Sequence, residues 1–254
     1  ILLYGLTAPF AAALMERFTV RKVVMSALTA VSLGAFATVF MTKPWHLILL
    51  WGVVVGIGTG SMALVFAATI ASRWFMQRRG LVTGALTAAA ATGQLIFLPA
   101  LSSLAINNGW KSVSITIGIG AAVVIPLIWW GLNENPQDIG HKPYGAPENW
   151  SAPEKSSGTA ARNAINALKT GSKRRDFWLL FGSFFVCGLS TNGLIGTHFI
   201  PAAHDHGMGE VVAASLLALI GVFDVVGTLA SGYLTDRVDP RKLLFAYYAL
   251  RGIS

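Results

Sequence analysis

Charged side chains are scarce in this sequence of 254 residues. They make up 12% of the chain, whereas a typical soluble domain carries about 25%. Hydrophobic residues make up 54%, and the mean hydropathy is +0.61. The single cysteine, Cys187, excludes an internal disulfide and any metal site built from several cysteines. Because Cys187 lies in an apolar run, we expect it to be buried and inert. The composition argues against an ordinary soluble domain and favours a membrane protein.

The charge-free residues form long runs. Asp, Glu, Lys and Arg are missing from residues 23–42, 44–72, 80–110, 112–133 and 177–203. Each run is long enough to cross a hydrocarbon core, which takes about 20 helical residues. A helix satisfies its own backbone hydrogen bonds in lipid, so these runs predict membrane-spanning helices. The predicted spans are 1–15, 23–42, 45–72, 80–107, 112–132, 177–200, 211–235 and one that starts at 243. Both chain ends fall in apolar runs, so we expect a fragment truncated at both ends.

Lysine and arginine are unevenly divided between the segments that connect these spans. Sixteen of the nineteen lie in alternate segments, at 16–22, 73–79, 133–176 and 236–242. The segments between them hold only Lys43 and Lys111. The positive-inside rule places the basic segments in the cytoplasm, which predicts a multi-pass protein of the inner (plasma) membrane. The net charge of +8 lies on one side of the bilayer, so we expect lipid and not nucleic acid as its partner.

One connecting segment, residues 133–176, is much longer than the others. Its prolines and glycines indicate a flexible cytoplasmic linker. Within it, Ile165 and Leu168 lie one turn apart in residues 160–169, which predicts a short helix on the membrane surface. Basic residues follow at 173–175. A regulatory or partner-binding role stays open, and a plain linker is the favoured interpretation.

Two of the basic loops repeat each other. Residues 12–22 have the sequence AALMERFTVRK, and residues 232–242 have the sequence GYLTDRVDPRK. We call them the N-terminal corner and the C-terminal corner. In each, an acidic residue precedes an arginine, and a basic pair follows, at an offset of 220 residues. Six predicted spans separate the corners, as two loops on one membrane face require.

The repeat resembles the signature of the major facilitator superfamily, a G-x-x-x-D-R-x-G-R-[RK] loop repeated after six spans. The N-terminal corner departs from it with Ala12, Glu16 and Thr19, and the C-terminal corner departs with Asp239. The resemblance implies an all-α membrane protein with two six-helix halves, of which the chain covers spans two to about nine. The N-terminal half would then be 1–132, the cytoplasmic linker 133–176 and the C-terminal half 177–254.

The two corners together predict a conformational latch. A carboxylate at such a corner can meet the N-terminus of a neighbouring helix or an arginine, and thereby hold one access state. Plain charges flanking a helix end are the alternative, but two copies in register favour the latch. The predicted latch residues are Glu16, Arg17, Arg21, Gly232, Asp236, Arg237 and Arg241.

Two further stretches point to one branch of the superfamily. Residues 75–84, FMQRRGLVTG, are similar to the F-x-x-[KR]-R-x-L-A-x-G pattern of monocarboxylate carriers and oxalate–formate antiporters. Residues 222–226 resemble the monocarboxylate-carrier segment around a membrane-embedded Asp, here Asp224. In those carriers an arginine one turn later binds the substrate carboxylate, and Thr228 stands at that place here.

The resemblance implies secondary transport of a small organic solute by alternating access, either coupled to protons or by exchange. A multidrug-type efflux carrier and a non-transporting receptor or scaffold of the same fold are the alternatives. An enzyme is not expected, since the sequence contains no H-E-x-x-H, no G-x-S-G motif with a paired histidine and no paired intramembrane aspartates. We expect no cofactor, and the sequence implies no oligomer.

Two charged residues, Asp224 and Arg251, lie deep within predicted spans. Asp224 is about 18 Å from Asp236 along a helix, and Arg251 is about 14 Å from Lys242, so both approach the midplane of the bilayer. An isolated charge there costs at least about 2.5 kcal/mol. Asp224 is therefore expected to face a central cavity and carry the coupling proton or bind solute. The alternative, a structural Asp224–Arg251 bridge, is the favoured role for Arg251.

Several polar residues accompany this pair in the predicted spans. Thr228 follows Asp224 on one helical stripe, and Thr191 shares a face of span seven with His198. Gln94 and Asn192 are candidate solute contacts, although hydrogen bonds within the helix bundle are an equally good explanation. We expect no metal site at His204-Asp205-His206, whose spacing matches no standard one. Gly80 and Gly84 form a G-x-x-x-G pair that predicts close helix packing.

Overall fold

The structure, a computed structural model, describes residues 2–62, 64–151 and 160–253. Within these ranges it leaves out the side chains of Leu2, Tyr4, Gln94, Ala160, Ala161, Asn163 and Asn192. The described chain folds into helices, and the one β-type pairing found there is an isolated bridge between Phe75 and Tyr144. The predicted all-α membrane class is confirmed.

Nine helices follow one another in the described part of the chain. They are α1 (Leu2–Phe18), α2 (Val20–Thr38), α3 (Pro44–Trp74), α4 (Arg79–Asn108), α5 (Trp110–Gly131), α6 (Ala160–Gly171), α7 (Arg175–Asp205), α8 (Glu210–Thr235) and α9 (Pro240–Ile253). Among the described residues, α2, α3, α4, α5, α7 and α8 are long and apolar enough to cross a membrane. Each predicted span corresponds to one helix, because charge-free runs and helix bounds nearly coincide.

Two of the long helices contain a wider π-helical stretch. In α3 it covers Ile48–Val55, between α-helical Pro44–Leu47 and Gly56–Met62, with Leu64–Trp74 following. In α7 it covers Leu189–Ile195, between Arg175–Gly188 and Gly196–Asp205. A π-helical turn has hydrogen bonds between residues i and i+5 in place of i and i+4. Such turns are rare and are frequently found at functional sites.

The connections at the helix ends are short. Thr19 alone separates α1 from α2, and Gly109 alone separates α4 from α5. Both residues have a positive φ, at 98° for Thr19 and 79° for Gly109. Glycine adopts this conformation without steric cost, whereas threonine is strained in it.

The best-buried part of the described chain lies among α1, α2, α3 and α5. Met15 and Val20 are almost completely buried there, with Val23, Val24 and Leu28 of α2 beside them. Residues of α3, of α5 and just after α5 pack against this cluster: Met62, Val65, Phe66, Ile70, Ala121, Ile125, Ile128 and Leu132. This core fixes the helices that end at the N-terminal corner.

Large apolar side chains are exposed on these helices and at their ends. Phe40 is 82% exposed and Trp130 is 89% exposed. Exposed apolar residues of this size are unfavourable in water and favourable against lipid. Their positions agree with a multi-pass membrane protein.

The long connecting segment is partly held against the helices. Tyr144 donates its backbone N–H to the Trp74 carbonyl (2.8 Å) and accepts from the backbone N–H of Met76 (2.8 Å). A turn at Pro136–Ile139 precedes this contact, closed by reciprocal bonds between Asn135 and Asp138. Hydrogen bonds therefore hold these residues of the segment against the end of α3.

The short helix predicted at residues 160–169 is confirmed as α6, Ala160–Gly171. It packs beside α1 and borders a groove of about 430 Å³. The groove is lined by Pro9, Ala12, Ala13, Glu16, Ala164, Ala167, Leu168 and Phe177. The apolar face of α6 therefore covers part of α1.

Candidate functional site

Helices α4 and α8 form the closest helix pair around the predicted site. A Cβ atom added to Gly80 would lie 2.5 Å from the Gly232 carbonyl oxygen, and one added to Gly84 would lie 2.6 Å from the Thr228 carbonyl oxygen. Farther along, a Cβ atom at Gly221 would lie 3.1 Å from the Ala91 carbonyl oxygen. Only glycine lets two backbones approach this closely. The prediction of close packing at Gly80 and Gly84 is confirmed, and we call this contact the α4–α8 seam.

The C-terminal corner meets one end of the seam. One oxygen of the Asp236 carboxylate accepts the Gly80 backbone N–H (2.8 Å), and the other accepts the Leu81 N–H (2.9 Å). The first N–H groups of a helix have no partner within it, and Arg78 in front of α4 supplies no capping side chain. Asp236 satisfies two of these groups and places a negative charge at the positive end of α4. The carboxylate thus joins α8 to α4 across 156 residues of sequence.

The arginines of this corner have other contacts. The Arg237 guanidinium lies over the Tyr233 ring, 4.2 Å from its centroid. Arg241 donates its backbone N–H to the Asp239 carboxylate (2.9 Å), so Asp239 caps the start of α9. Gly232 lies in the seam itself. The corner therefore links α8, α9 and the start of α4.

The N-terminal corner is built differently. Glu16 is exposed and borders the groove beside α6, and Arg17 lies over the Phe18 ring, 5.0 Å from its centroid. Arg21 donates its Nε–H to the Leu132 carbonyl (2.7 Å) at the end of α5. Within the described residues, Glu16 bonds to no helix N-terminus.

Glu134, and not Glu16, is the carboxylate that caps a neighbouring helix beside the N-terminal corner. Its carboxylate accepts the backbone N–H groups of Val20 (3.0 Å) and Arg21 (2.9 Å) at the start of α2. It also forms an ion pair with Arg73 at the end of α3 (3.0 Å). Sequence analysis missed Glu134. Its position directly after the charge-free run of α5 could have marked it as a candidate, because a carboxylate at the end of a membrane span needs a polar partner.

Asp224 lies on α8 beside the seam and is exposed in the structure. The Thr228 hydroxyl donates to the main-chain carbonyl of Asp224. With 3.6 residues per turn, Asp224 lies about 40° around the helix from Thr228 and about 60° from Gly221, both of which touch α4. The carboxylate therefore borders the contact between the two predicted halves.

Arg251 connects α9 to α7. Its guanidinium donates to the hydroxyls of Ser190 (2.5 Å) and Thr191 (2.7 Å) and to the Cys187 sulfur (3.4 Å). These residues surround the start of the π-helical stretch of α7. In the described part of the chain, an ion pair with nitrogen and oxygen atoms within 4.0 Å is formed by Arg73 and Glu134. Asp224 and Arg251, which are both described, do not form such a pair with each other. Cys187 is half-buried, with its sulfur against the Arg251 guanidinium.

The other predicted solute contacts are only partly described. His198 is exposed on α7. The side chains of Gln94 and Asn192 lie outside the described residues. No group of three or more His, Cys, Asp or Glu residues arranged for a metal ion occurs among the residues that the structure describes.

Comparisons with known proteins agree with this architecture. The family described as Major Facilitator Superfamily matches residues 1–253. Relatives include the uncharacterized MFS-type transporter YcxA of Bacillus subtilis (strain 168), 29% identical over 95% of this chain and 55% of its own length. Monocarboxylate transporter 11 of Mus musculus is 32% identical over 97% of this chain and 52% of its own length. A gallate transporter of Pseudomonas putida is 25% identical over 94% of this chain and 56% of its own length.

The chain spans about half the length of the curated relatives that it matches. The family and these relatives are transporters and not enzymes, which confirms the expectation of a non-enzyme. The match runs over nearly all of the chain, through both corners and the seam between α4 and α8. The chain therefore belongs to the Major Facilitator Superfamily.

Proposed function

We propose that the protein takes part in carrying a small organic anion of the monocarboxylate class across the inner membrane by alternating access. Family membership supports solute transport, and relatives named as monocarboxylate and gallate transporters favour a carboxylate. The observation that carries the mechanism is the Asp236 carboxylate on the N-terminus of α4. It is a contact between the predicted halves, at the end where the corners lie.

Alternating access requires the two halves to separate on one side while they close on the other. The corners are proposed to lie in the cytoplasm, so the contact of α4 with α8 supports a state that is closed on the cytoplasmic side. Opening that side breaks both hydrogen bonds of Asp236 and separates Gly80 from Gly232. Asp236 with its corner is the proposed latch, and Glu134 anchors the N-terminal corner within its own half.

Asp224 is the proposed proton-coupling or solute-binding group. It borders the seam at the depth of the midplane, where a charge needs a partner or a wet cavity. Thr228 and the face of α7 that carries Thr191 and His198 complete the proposed passage, together with Gln94 and Asn192. Arg251 has a positioning role, because it ties α9 to the π-helical stretch that begins beside Thr191.

The test is uptake by the full-length protein in proteoliposomes under an imposed proton gradient, with a panel of short monocarboxylates and gallate. We expect Asp224→Asn to reduce gradient-driven uptake to the level of empty vesicles while the protein stays folded. Asp205→Asn, at the end of α7, is the matched control and should keep wild-type uptake. Unchanged uptake in Asp224→Asn would disprove its role. Extrusion of diverse dyes without carboxylate uptake would favour the efflux carrier.

A further inference from the structure

A cavity of about 570 Å³ lies at the C-terminal corner, beside the Asp236 latch. Its lining residues come from the α3–α4 loop, from the start of α4 and from the end of α8: Met76, Gln77, Arg78, Arg79, Leu81, Tyr233, Asp236 and Arg237. We call it the arginine cavity. It is therefore shared by the two predicted halves, with Arg78 and Arg79 on one side and Arg237 on the other.

The charge of the arginine cavity is positive. Three guanidinium groups face one carboxylate, and both oxygens of that carboxylate, on Asp236, are already bonded to the start of α4. Arg79 donates its Nε–H to the Phe75 carbonyl (2.6 Å), and the Arg237 guanidinium lies over the Tyr233 ring. A guanidinium has five N–H donors in a planar fork, so each arginine keeps donors for an anion with several oxygens.

The loop that carries Arg78 is held in shape from outside the cavity. Tyr144 in the long connecting segment accepts the backbone N–H groups of Met76 (2.8 Å) and Gln77 (3.3 Å). Gly145 lies so close that a Cβ atom there would be 2.5 Å from the Gln77 side chain. Arg78 itself has φ 58°, a conformation that a non-glycine residue keeps only where its surroundings impose it. Most of the lining side chains are exposed, but these contacts of Tyr144 and Gly145 fix the position of the loop that forms one wall of the arginine cavity.

From this geometry we infer that the arginine cavity binds a phosphate-bearing anion. Arginine forks match phosphate oxygens two at a time, and such bonds are stronger than neutral ones. The apolar part of the lining, Met76, Leu81 and Tyr233, suits the carbon atoms attached to a phosphate. Basic pockets at the cytoplasmic ends of membrane helices bind anionic lipid headgroups, and a free phosphate offers the same oxygens.

Such an anion would join the two halves on the closed side. It would contact Arg78 and Arg79 at the start of α4 and Arg237 after α8, so it binds best while the seam is closed. By reciprocity, its binding stabilises the closed seam. This consequence depends on the proposed alternating access, whereas the binding itself does not.

The experiment measures binding, not transport, so its failure is distinguishable from failure of the proposed function. The full-length protein is placed in nanodiscs of phosphatidylcholine with increasing phosphatidylglycerol, and bound lipid is counted by native mass spectrometry. A second arm titrates inorganic phosphate against chloride and follows thermal unfolding. The variant Arg78→Gln/Arg237→Gln is compared with Lys22→Gln/Lys242→Gln, which removes the same charge outside the cavity.

We expect the arginine variant to bind phosphatidylglycerol or phosphate at least about tenfold more weakly than the lysine variant, since charge-assisted bonds to phosphate are lost. Binding of the lipid alone identifies a headgroup, and an effect of inorganic phosphate alone identifies a soluble ligand. Equal binding by the two variants overturns the proposal, as does wild-type protein that responds to neither probe. If the double variant does not fold, Arg237→Gln alone answers the question, because its guanidinium lies on an exposed ring.

Discussion

The two corners repeat one sequence pattern, yet the carboxylates that cap helices beside them come from different places. At the C-terminal corner, Asp236 belongs to the corner and bonds to the start of α4. At the N-terminal corner, Glu134 lies after α5, outside the corner, and bonds to the start of α2. Glu16, which occupies the position of Asp236 in the repeat, is exposed beside α6.

Both arrangements solve the same physical problem, because a helix N-terminus has N–H groups without partners and a positive potential. The origin of the carboxylate decides what is joined. Glu134 joins α2, α3 and α5 within one predicted half, so its bonds are compatible with any movement between halves. Asp236 joins the two predicted halves, so its bonds must break when the proposed passage opens. A repeat in sequence is therefore not a repeat in role.

The largest effect is expected at the N-terminal corner. Glu134→Gln removes the ion pair with Arg73 and weakens both bonds to α2, in a site where the side chains are only 18% and 23% exposed. Because the Arg73 charge is left partly buried without its partner, we expect a loss of about 2–3 kcal/mol in the free energy of unfolding. Denaturant unfolding in mild detergent measures it.

Glu16→Gln is the matched control for this prediction. It changes the corner's own carboxylate, which is exposed, so its effect should stay within about 0.5 kcal/mol. If Glu16→Gln cost as much as Glu134→Gln, the assignment of the capping role to Glu134 would be wrong.

The next effect concerns the seam, where the corners differ by one methyl group. The repeat position that holds Gly232 in one corner holds Ala12 in the other. A Cβ atom at Gly232 would lie 2.5 Å from the Gly80 carbonyl oxygen and 3.1 Å from the Gly84 Cα, and backbone atoms cannot give way as a flexible side chain does. We expect Gly232→Ala to destabilise the structure by about 1–3 kcal/mol.

Thermal unfolding checks this against Gly227→Ala. Gly227 is on the same helix, and a Cβ atom added to it would meet no neighbouring atom within 4 Å, so alanine there should be neutral or slightly stabilising. Equal destabilisation by the two substitutions would show that the α4–α8 contact is not the cause.

Much of this architecture follows from the sequence. The parts that cannot be predicted from it have one physical reason in common. Charge-free runs predict each long helix, because the bilayer imposes both their length and their composition. Asp236 is predicted as a latch residue because its loop has a recognisable pattern. Glu134 is not, since its partners Val20 and Arg73 lie 114 and 61 residues away and only packing brings them together. Contacts of Arg251 with α7 are hidden for the same reason.

A smaller effect is expected for Asp236→Asn, because both of its bonds are exposed. The amide keeps one acceptor and loses the charge at the α4 N-terminus, which costs about 1 kcal/mol. In contrast to Glu134→Gln, the change should alter the separation of α4 from α8 more than the unfolding midpoint. Spin labels at Met76 and Val238, in a Cys187→Ser background, measure that distance. If Asp236→Asn and the protein that keeps Asp236 gave the same distance distribution, the proposed latch role of Asp236 would be wrong.

The last two effects, no larger than that of Asp236→Asn, concern the position of the second glycine in the family pattern, where the corners have Thr19 and Asp239. Thr19 has φ 98° and ψ 142°, a region that essentially only glycine adopts without cost. Its hydroxyl accepts from the Lys22 N–H at 3.4 Å, a long and therefore weak cap. We expect Thr19→Gly to raise the free energy of unfolding by about 1 kcal/mol, because the relief of strain exceeds the added flexibility of the unfolded chain.

Asp239→Gly should have the opposite sign. Asp239 is absent from the non-glycine residues with positive φ in the described chain, and its carboxylate accepts the Arg241 N–H at 2.9 Å. Replacing a capping aspartate by glycine costs about a few tenths of a kcal/mol. Parallel denaturant curves of the two variants measure the difference, and changes of the same sign would contradict it. Glycine at the same position of the motif would then raise the free energy of unfolding in one corner and lower it in the other. The reason is that Thr19 has the backbone conformation of a glycine, whereas Asp239 has an ordinary conformation and caps a helix.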